Sequence, residues 1–286
     1  MWANYHQHSF FCDGKGDLES HVKEAIRQKV KILGFSSHMP VPFPSAWNMP
    51  LTRLAEYVRE ITRLQTAYAS DIEIYKSLEL DYVPNCVVQQ TDYISKAQLD
   101  YFLCSIHYVD NFSDGTPWEI DTLQQTFERG VREIFGNDIQ KAVARYYQLT
   151  RQMLEESTPH ILGHLDKIKI WSENGKRFDT MATWYREEVM QTVEVARAKK
   201  VIIEVNTRGW YKKLTNEPYP AKWILNEICA MNLPIMLNSD AHTPDEVIKF
   251  FPQTARLLKE IGFHRLTIFR NGCFMEVDFD ENGIYF

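Results

Sequence analysis

Histidines and carboxylates carry the chemistry open to this 286-residue chain, and their spacing says more than their number. Six of the nine histidines fall at or just after short apolar runs: His6 and His8 in YHQHS, His38 in GFSSH, His107 in SIH, His164 in ILGH and His242 in NSDAH. Glu79 (SLELD), Glu204 (IEVN) and Asp240 (NSD) hold the same kind of position, and Asp13 follows the first run. Alternate residues of an extended strand point the same way, so His6 and His8 can share one ion, and Asp240 and His242 repeat that spacing. Neutral imidazoles crowded with carboxylates suit divalent cations, which offset the repulsion between the acids. One histidine in such a place is as readily a hydrogen-bonded core or surface residue. The whole set is not accounted for that way. His21, His160 and His264 precede, begin or lie beyond the relevant elements and read as structural. Cys12, beside Asp13, reads as a small buried thiol.

The elements that must position these residues alternate in kind. Strand-like runs fall at 2–11, 31–35, 72–80, 101–106, 160–163, 201–205 and 234–237. Helical spacing marks 18–28, with Asp17 as its cap, then 52–68, 84–96, 120–157 with a break near Gly136-Asn137, 180–199, 221–231 and 252–261. An apolar tail after 261 reads as strand. Strands alternating with helices of this length predict βαβ units and a parallel α/β sheet. Seven such units without a linker rich in Pro, Gly or Ser favour one TIM-like barrel, a single domain over 1–286, above two domains. The carboxyl ends of barrel strands converge on one face, where residues distant in sequence crowd one pocket. Segments 43–49 and 108–118 carry few periodic apolar residues and read as loops. Trp47, Trp118, Trp171 and Trp210 lie on such connections, where they either wall a pocket or pack loops onto the barrel.

Composition narrows the classes. Hydrophobic residues make up 44% and charged residues 24%, which excludes a disordered tail, a collagen-like fibre and a small disulfide scaffold. The formal charge of −6 and pI near 5.9, with no basic stripe, argue against nucleic acid as a partner. Three divalent ions would bring that charge to about zero. Five cysteines without a CxxC pair indicate reduced thiols, not disulfides or a thiolate zinc site. No secretory signal or membrane-length apolar run is seen, so a cytoplasmic location is expected.

The order His6-x-His8, Asp13, His38, Glu79, His107, Gly163-His164, Glu204-Val205-Asn206 and Asn238-Ser239-Asp240-Ala241-His242 resembles the PHP (polymerase and histidinol phosphatase) superfamily, from about residue 4 to about residue 245. The length and the GFSSHMP segment resemble its histidinol-phosphate phosphatase branch. The resemblance implies a distorted (β/α)7 barrel with two to three Zn, Mn or Fe ions at the carboxyl strand ends. It places His6, His8, Glu79 and Asp240 on a first ion. Glu79 would bridge to a second, with His107 and His164, and Asp13, His38 and His242 would hold a third. Glu204 would stand behind the ligands or face substrate. Metal binding lowers the pKa of water to about 7, supplying a nucleophile for in-line attack on a phosphomonoester. His38 or His242 would protonate the leaving alkoxide. Arg208 and Lys169 would contact phosphate, a lysine replacing the branch's usual arginine at the second place, with Lys167 and Arg177 as weaker competitors. The implied activity is metal-dependent hydrolysis of L-histidinol phosphate in histidine biosynthesis, with a small phosphorylated metabolite as partner and no membrane. The other readings are a PHP phosphoesterase acting on another small phosphate or a nucleotide, and a non-catalytic metal-binding PHP domain. The full ligand set argues against the latter. A nuclease would want a basic groove, and an amidohydrolase-type zinc enzyme a bridging lysine.

Overall fold

A computed structural model gives the structure of residues 1–84 and 86–285. Its elements run β1 (Trp2–Asn4), α1 (Leu18–Arg27), β2 (Val30–Phe35), α2 (Leu54–Ala67), β3 (Glu73–Lys76), β4 (Glu79–Asp81), α3 (Val87–Ala97) and β5 (Leu103–Ser105). Then come β6 (Tyr108–Asn111), β7 (Pro117–Glu119), α4 (Gln124–Glu133), α5 (Ile139–Glu156), β8 (Ile161–Leu162), α6 (Thr183–Ala198) and β9 (Ile202–Asn206). The chain ends with α7 (Arg208–Tyr211), α8 (Lys222–Ala230), β10 (Ile235–Asn238), α9 (Phe251–Ile261), β11 (Arg265–Arg270), β12 (Cys273–Asp280) and β13 (Gly283–Tyr285). The helix expected at 84–96 is α3, and Asn85 within that range lies outside the described residues.

The α/β rhythm produces parallel pairing. One sheet has the order β1-β2-β3 and a second β10-β9-β8-β5-β4, with every pair in both parallel. Isolated parallel bridges Gln7–Ala241 and His38–Glu79 connect the two sheets just past the ends of β1 and β10 and of β2. Local sequence explains individual elements. The Asp17 side chain accepts from the Ser20 amide at 2.7 Å and starts α1, whose Leu18, Val22 and Ala25 face the core. Gly136 and Asn137, both at positive φ, separate α4 from α5, and Asp138 caps α5.

Four expectations change. The run 2–11 is a strand only over Trp2–Asn4, so His6 and His8 lie past β1, flanking the isolated bridge of Gln7 to Ala241. The run 72–80 is two strands, because β3 pairs with β2 whereas β4 pairs with β5. Segment 108–118 is not a plain loop: β6 and β7 form an antiparallel hairpin turning at Gly115, φ 83°, with Tyr108, Val109 and Trp118 buried. Strands of three or four residues are too short for their alternation to be visible in sequence. The tail after 261 is a three-stranded antiparallel meander, turning between β11 and β12 at Asn271-Gly272, both with φ above zero. The meander is tied to β1 by the Ile284 amide donating to the Met1 carbonyl at 2.8 Å, and Tyr5 Oη bonds both backbone groups of Phe269. One apolar cluster extends from Trp2 to Ile284. Among the described residues no helix is long and apolar enough to cross a membrane.

Candidate metal centre

The histidines and acids meet where the parallel strands end. His6 and His8 follow β1, His38 follows β2, His107 follows β5 and His164 follows β8. Glu79 opens β4, Glu204 lies on β9, and Asp240 and His242 follow β10. Asp240 adopts φ 52°, a left-handed conformation that aspartate tolerates better than most residues.

The Nε2 atoms of His6 and His8 face each other at 3.1 Å. Glu79 Oε2 lies 3.2 Å and 3.3 Å from them, and Asp240 Oδ1 3.7 Å and 3.2 Å. Glu79 turns its other oxygen the opposite way, 3.0 Å from His164 Nε2 and 4.0 Å from His107 Nε2. Asp13 Oδ2 lies 3.1 Å from His242 Nε2, while its Oδ1 lies 3.8 Å from His8 Nδ1 and 3.9 Å from His38 Nε2. Three sets bring their donor atoms within 4.8 Å of one another: His6, His8 and Asp240; His38, Glu79 and His107; and His8, Asp13, His38 and His242. His8 and His38 therefore each belong to two groups, not one. Two imidazole nitrogens in contact need a proton or a cation between them, and this mixed N/O set fits a borderline divalent ion.

The electrostatics point the same way. Burial would strip the proton from His6, but Glu204, Glu79 and Asp240 outweigh it and push its pKa up to about 10. Burial would also raise Glu79 and Asp240, yet the neighbouring imidazoles, His6 foremost, hold both well below the usual carboxylate range. His242 is instead driven down to about 4 by burial, with His8 and Arg208 adding to it. In the absence of a metal, protons on imidazole supply the positive charge that these buried acids require.

Behind the ring nitrogens lies a second layer that the sequence reading only partly found. Glu204 accepts four hydrogen bonds: Oε1 from His6 Nδ1 at 2.6 Å and Asn238 Nδ2 at 3.0 Å, Oε2 from the His164 amide at 2.8 Å and Asn206 Nδ2 at 3.0 Å. It supports ligands and does not face the cavity. Asp81, which the sequence reading missed, contacts the Nδ1 atoms of both His38 and His107. Its signal was the alternate spacing of ELD, the same as His-x-His. Ser105 Oγ donates to Glu79 Oε1 at 2.5 Å, and a Cβ on Gly163 would lie 2.3 Å from that hydroxyl, so a side chain before His164 would displace it from Glu79.

Asp13, His38, Glu79, His107, Asp240 and His242 open into a cavity of about 160 Å³ whose other walls are Trp47, Asp121, Lys167 and Arg208. Arg208 Nη1 is anchored on the Asp240 carbonyl at 3.0 Å. Lys169 is not at this cavity. Its Nζ donates to the Pro218 carbonyl at 2.7 Å and pairs with Asp166 at 3.0 Å, beside a separate cavity of about 350 Å³. Lys167 occupies the expected place, with Nζ 2.6 Å from Asp121 and 3.2 Å from His107 Nε2. Both lysines lie on the 3₁₀ segment Lys167–Ser172, where residues two apart face different ways. Of the four tryptophans, Trp47 lines the cavity, Trp118 is core, Trp171 bonds the Ile120 carbonyl and Trp210 packs on Phe250.

Residues 4–208 match the PHP domain family, and the chain belongs to it. Within that family it is similar to a Deinococcus radiodurans protein named "Probable histidinol-phosphatase", 25% identical over 265 residues that cover 92% of this chain and 94% of the relative. It is likewise similar to the histidinol-phosphatase of Lactococcus lactis, 24% identical over 287 residues and 98% of each chain. The crystal structure of histidinol phosphate phosphatase from Lactococcus lactis, complexed with zinc, L-histidinol and phosphate, shares the fold: TM-score 0.73 over 96% of this chain and 98% of that one, at 22% identity.

Proposed function

We propose that the protein is a metal-dependent phosphomonoesterase that hydrolyses L-histidinol phosphate to L-histidinol and phosphate in histidine biosynthesis. The observation that carries this reading is one small cavity lined both by converging imidazole and carboxylate donors and by two cationic side chains, Lys167 and Arg208. The similarity to proteins named for this activity supports the choice of substrate. The parallel strands are read as a distorted (β/α)7 barrel within one domain spanning the chain. Five free cysteines accord with action in the cytoplasm.

Two to three Zn, Mn or Fe ions would be held by His6, His8, Glu79 and Asp240, by Glu79, His107 and His164, and by Asp13, His38 and His242. Such ions supply charge neutralisation of phosphate and acidify water to a pKa of about 7. The chain's own groups do the rest. Arg208 and Lys167 bind the non-bridging phosphate oxygens, Lys167 exchanging its contact with His107 for the anion. Asp121 keeps Lys167 at the cavity. Trp47, stacked on Tyr108 and edge-on to His38 and His107, limits water at the mouth and leaves the organic part of the substrate outside the 160 Å³ pocket. Of His38 and His242, the one whose Nε2 is not engaged by an ion would pass a proton to the leaving alcohol oxygen. His242 is the more accessible of the two, with a side chain 14% exposed against 6%. A turnover screen of metal-replete protein over small phosphomonoesters tests the reading. Histidinol phosphate should exceed bis-p-nitrophenyl phosphate and single-stranded DNA by orders of magnitude. Preference for the diester or for DNA would remove the assignment.

A further inference from the structure

Asp81 is a fully buried carboxylate, two residues after Glu79 on β4, so the two acids project to the same side of the strand. Glu79 faces the Nε2 atoms of His6, His8 and His164, and its Oε2 also lies 3.2 Å from His38 Nδ1; Asp81 stands behind the His107 ring and shares the His38 ring with Glu79. Its Oδ1 meets His107 Nδ1, and its Oδ2 meets His38 Nδ1 at 3.2 Å and Asn48 Nδ2 at 2.6 Å. Asn48 is itself fixed as a donor on that side, because its Oδ1 accepts from Tyr108 Oη at 2.7 Å and its Nδ2 also reaches the Met39 carbonyl at 2.9 Å. A carboxylate offers no proton, so each imidazole must present an N–H from Nδ1 to it, which leaves the lone pair on Nε2. The freed Nε2 of His107 accepts from Lys167 Nζ at 3.2 Å and lies 4.0 Å from Glu79, and that of His38 lies 3.9 Å from Asp13.

We propose that Asp81 is a positioning residue that sets the tautomer of His107 and, together with Glu79, that of His38. The inference rests on the reading that these imidazoles hold metal. A carboxylate behind a ligating histidine orients the ring and raises its basicity, and losing such a partner costs about 10- to 100-fold in metal affinity.

The chemistry of Asp81→Asn is specific. The amide has one acceptor oxygen and one NH₂. With its oxygen on the side of His38 and Asn48, two donors remain satisfied and the NH₂ faces His107. The His107 ring then moves its proton from Nδ1 to Nε2, the atom needed for the ion. D81N should therefore weaken zinc binding by about 10- to 100-fold at the ion served by His107, and Asp81→Ala should weaken the same ion, while the His38 Nδ1 proton keeps its contact with Glu79. Glu204→Gln, which touches only the His6 ring, should affect one ion alone. Long-range ¹H–¹⁵N NMR of ¹⁵N-histidine-labelled unmodified protein needs no variant: with zinc bound, His38 and His107 should both carry the proton on Nδ1. A proton on Nε2 of either ring, or unchanged zinc affinity in D81N, overturns the assignment. Unmodified protein that takes up no zinc overturns the metal reading beneath it instead.

Discussion

Glu204→Gln tests whether the second layer controls ligand chemistry or only fills space. Four donors converge on the carboxylate, two per oxygen. If the amide nitrogen takes the Oε2 side, it opposes the His164 N–H and the Asn206 NH₂, and Asn206 cannot turn because its Oδ1 accepts from the Arg208 amide at 2.9 Å. Two bonds are then lost. On the Oε1 side it opposes Asn238, fixed as a donor because its Oδ1 accepts from the Tyr5 amide at 2.9 Å, and His6, which is not fixed. His6 can accept at Nδ1 by moving its proton to Nε2, so one bond is lost instead of two. The second orientation is the lower in energy, and it spoils the nitrogen that faces His8 and Glu79. One buried hydrogen bond to a charged acceptor is worth about 1.5–3 kcal/mol. At roughly 2–4 °C per kcal/mol for a domain this large, Tm should fall by about 3–12 °C. Zinc affinity should fall about 10- to 100-fold at the same time. Differential scanning calorimetry with and without zinc, beside a competitive zinc titration, reads both. A lowered Tm with unchanged zinc affinity would refute the tautomer argument, and no change in either would refute the description of Glu204.

Other outcomes follow from the cavity. Arg208→Ala should lower kcat/KM for histidinol phosphate by about 10²-fold, the size of losing one charged stabiliser, with metal content unchanged. Lys167→Ala should do the same, whereas Lys169→Ala should leave turnover per folded molecule intact. That second variant strands the buried Asp166 carboxylate and should cost about 3–5 kcal/mol of stability in a denaturant titration; equal activity losses in the two lysine variants would contradict the placement. Chelator treatment should abolish turnover and zinc should restore it. Elemental analysis of reconstituted protein should find two to three ions per chain, and fewer than one would defeat the trinuclear arrangement.

The residues of the candidate centre were legible because each is marked locally: an alternate pair such as His6 and His8, or a single polar residue ending an apolar run such as His107 in SIH. The parallel α/β organisation was legible for the same reason, since β2, β9 and β10 are short apolar runs followed by helices. What tertiary structure decided is every feature that depends on direction. Sequence alone favours Lys169 over Lys167 as the phosphate contact. Only the 3₁₀ segment after β8 sends one ammonium into the cavity and the other to Asp166 and the Pro218 carbonyl. Residues 72–80 read as one strand, but β3 pairs with β2 and β4 with β5, and the strand divides. Asp81 and Glu204 are ordinary strand acids until the fold brings His38, His107 and His6 against them from 43, 26 and 198 residues away along the chain. Hydrogen-bond partners at such separations leave no periodic trace, because a carboxylate's role depends on which donors surround it, and that is settled only when the strands pack side by side.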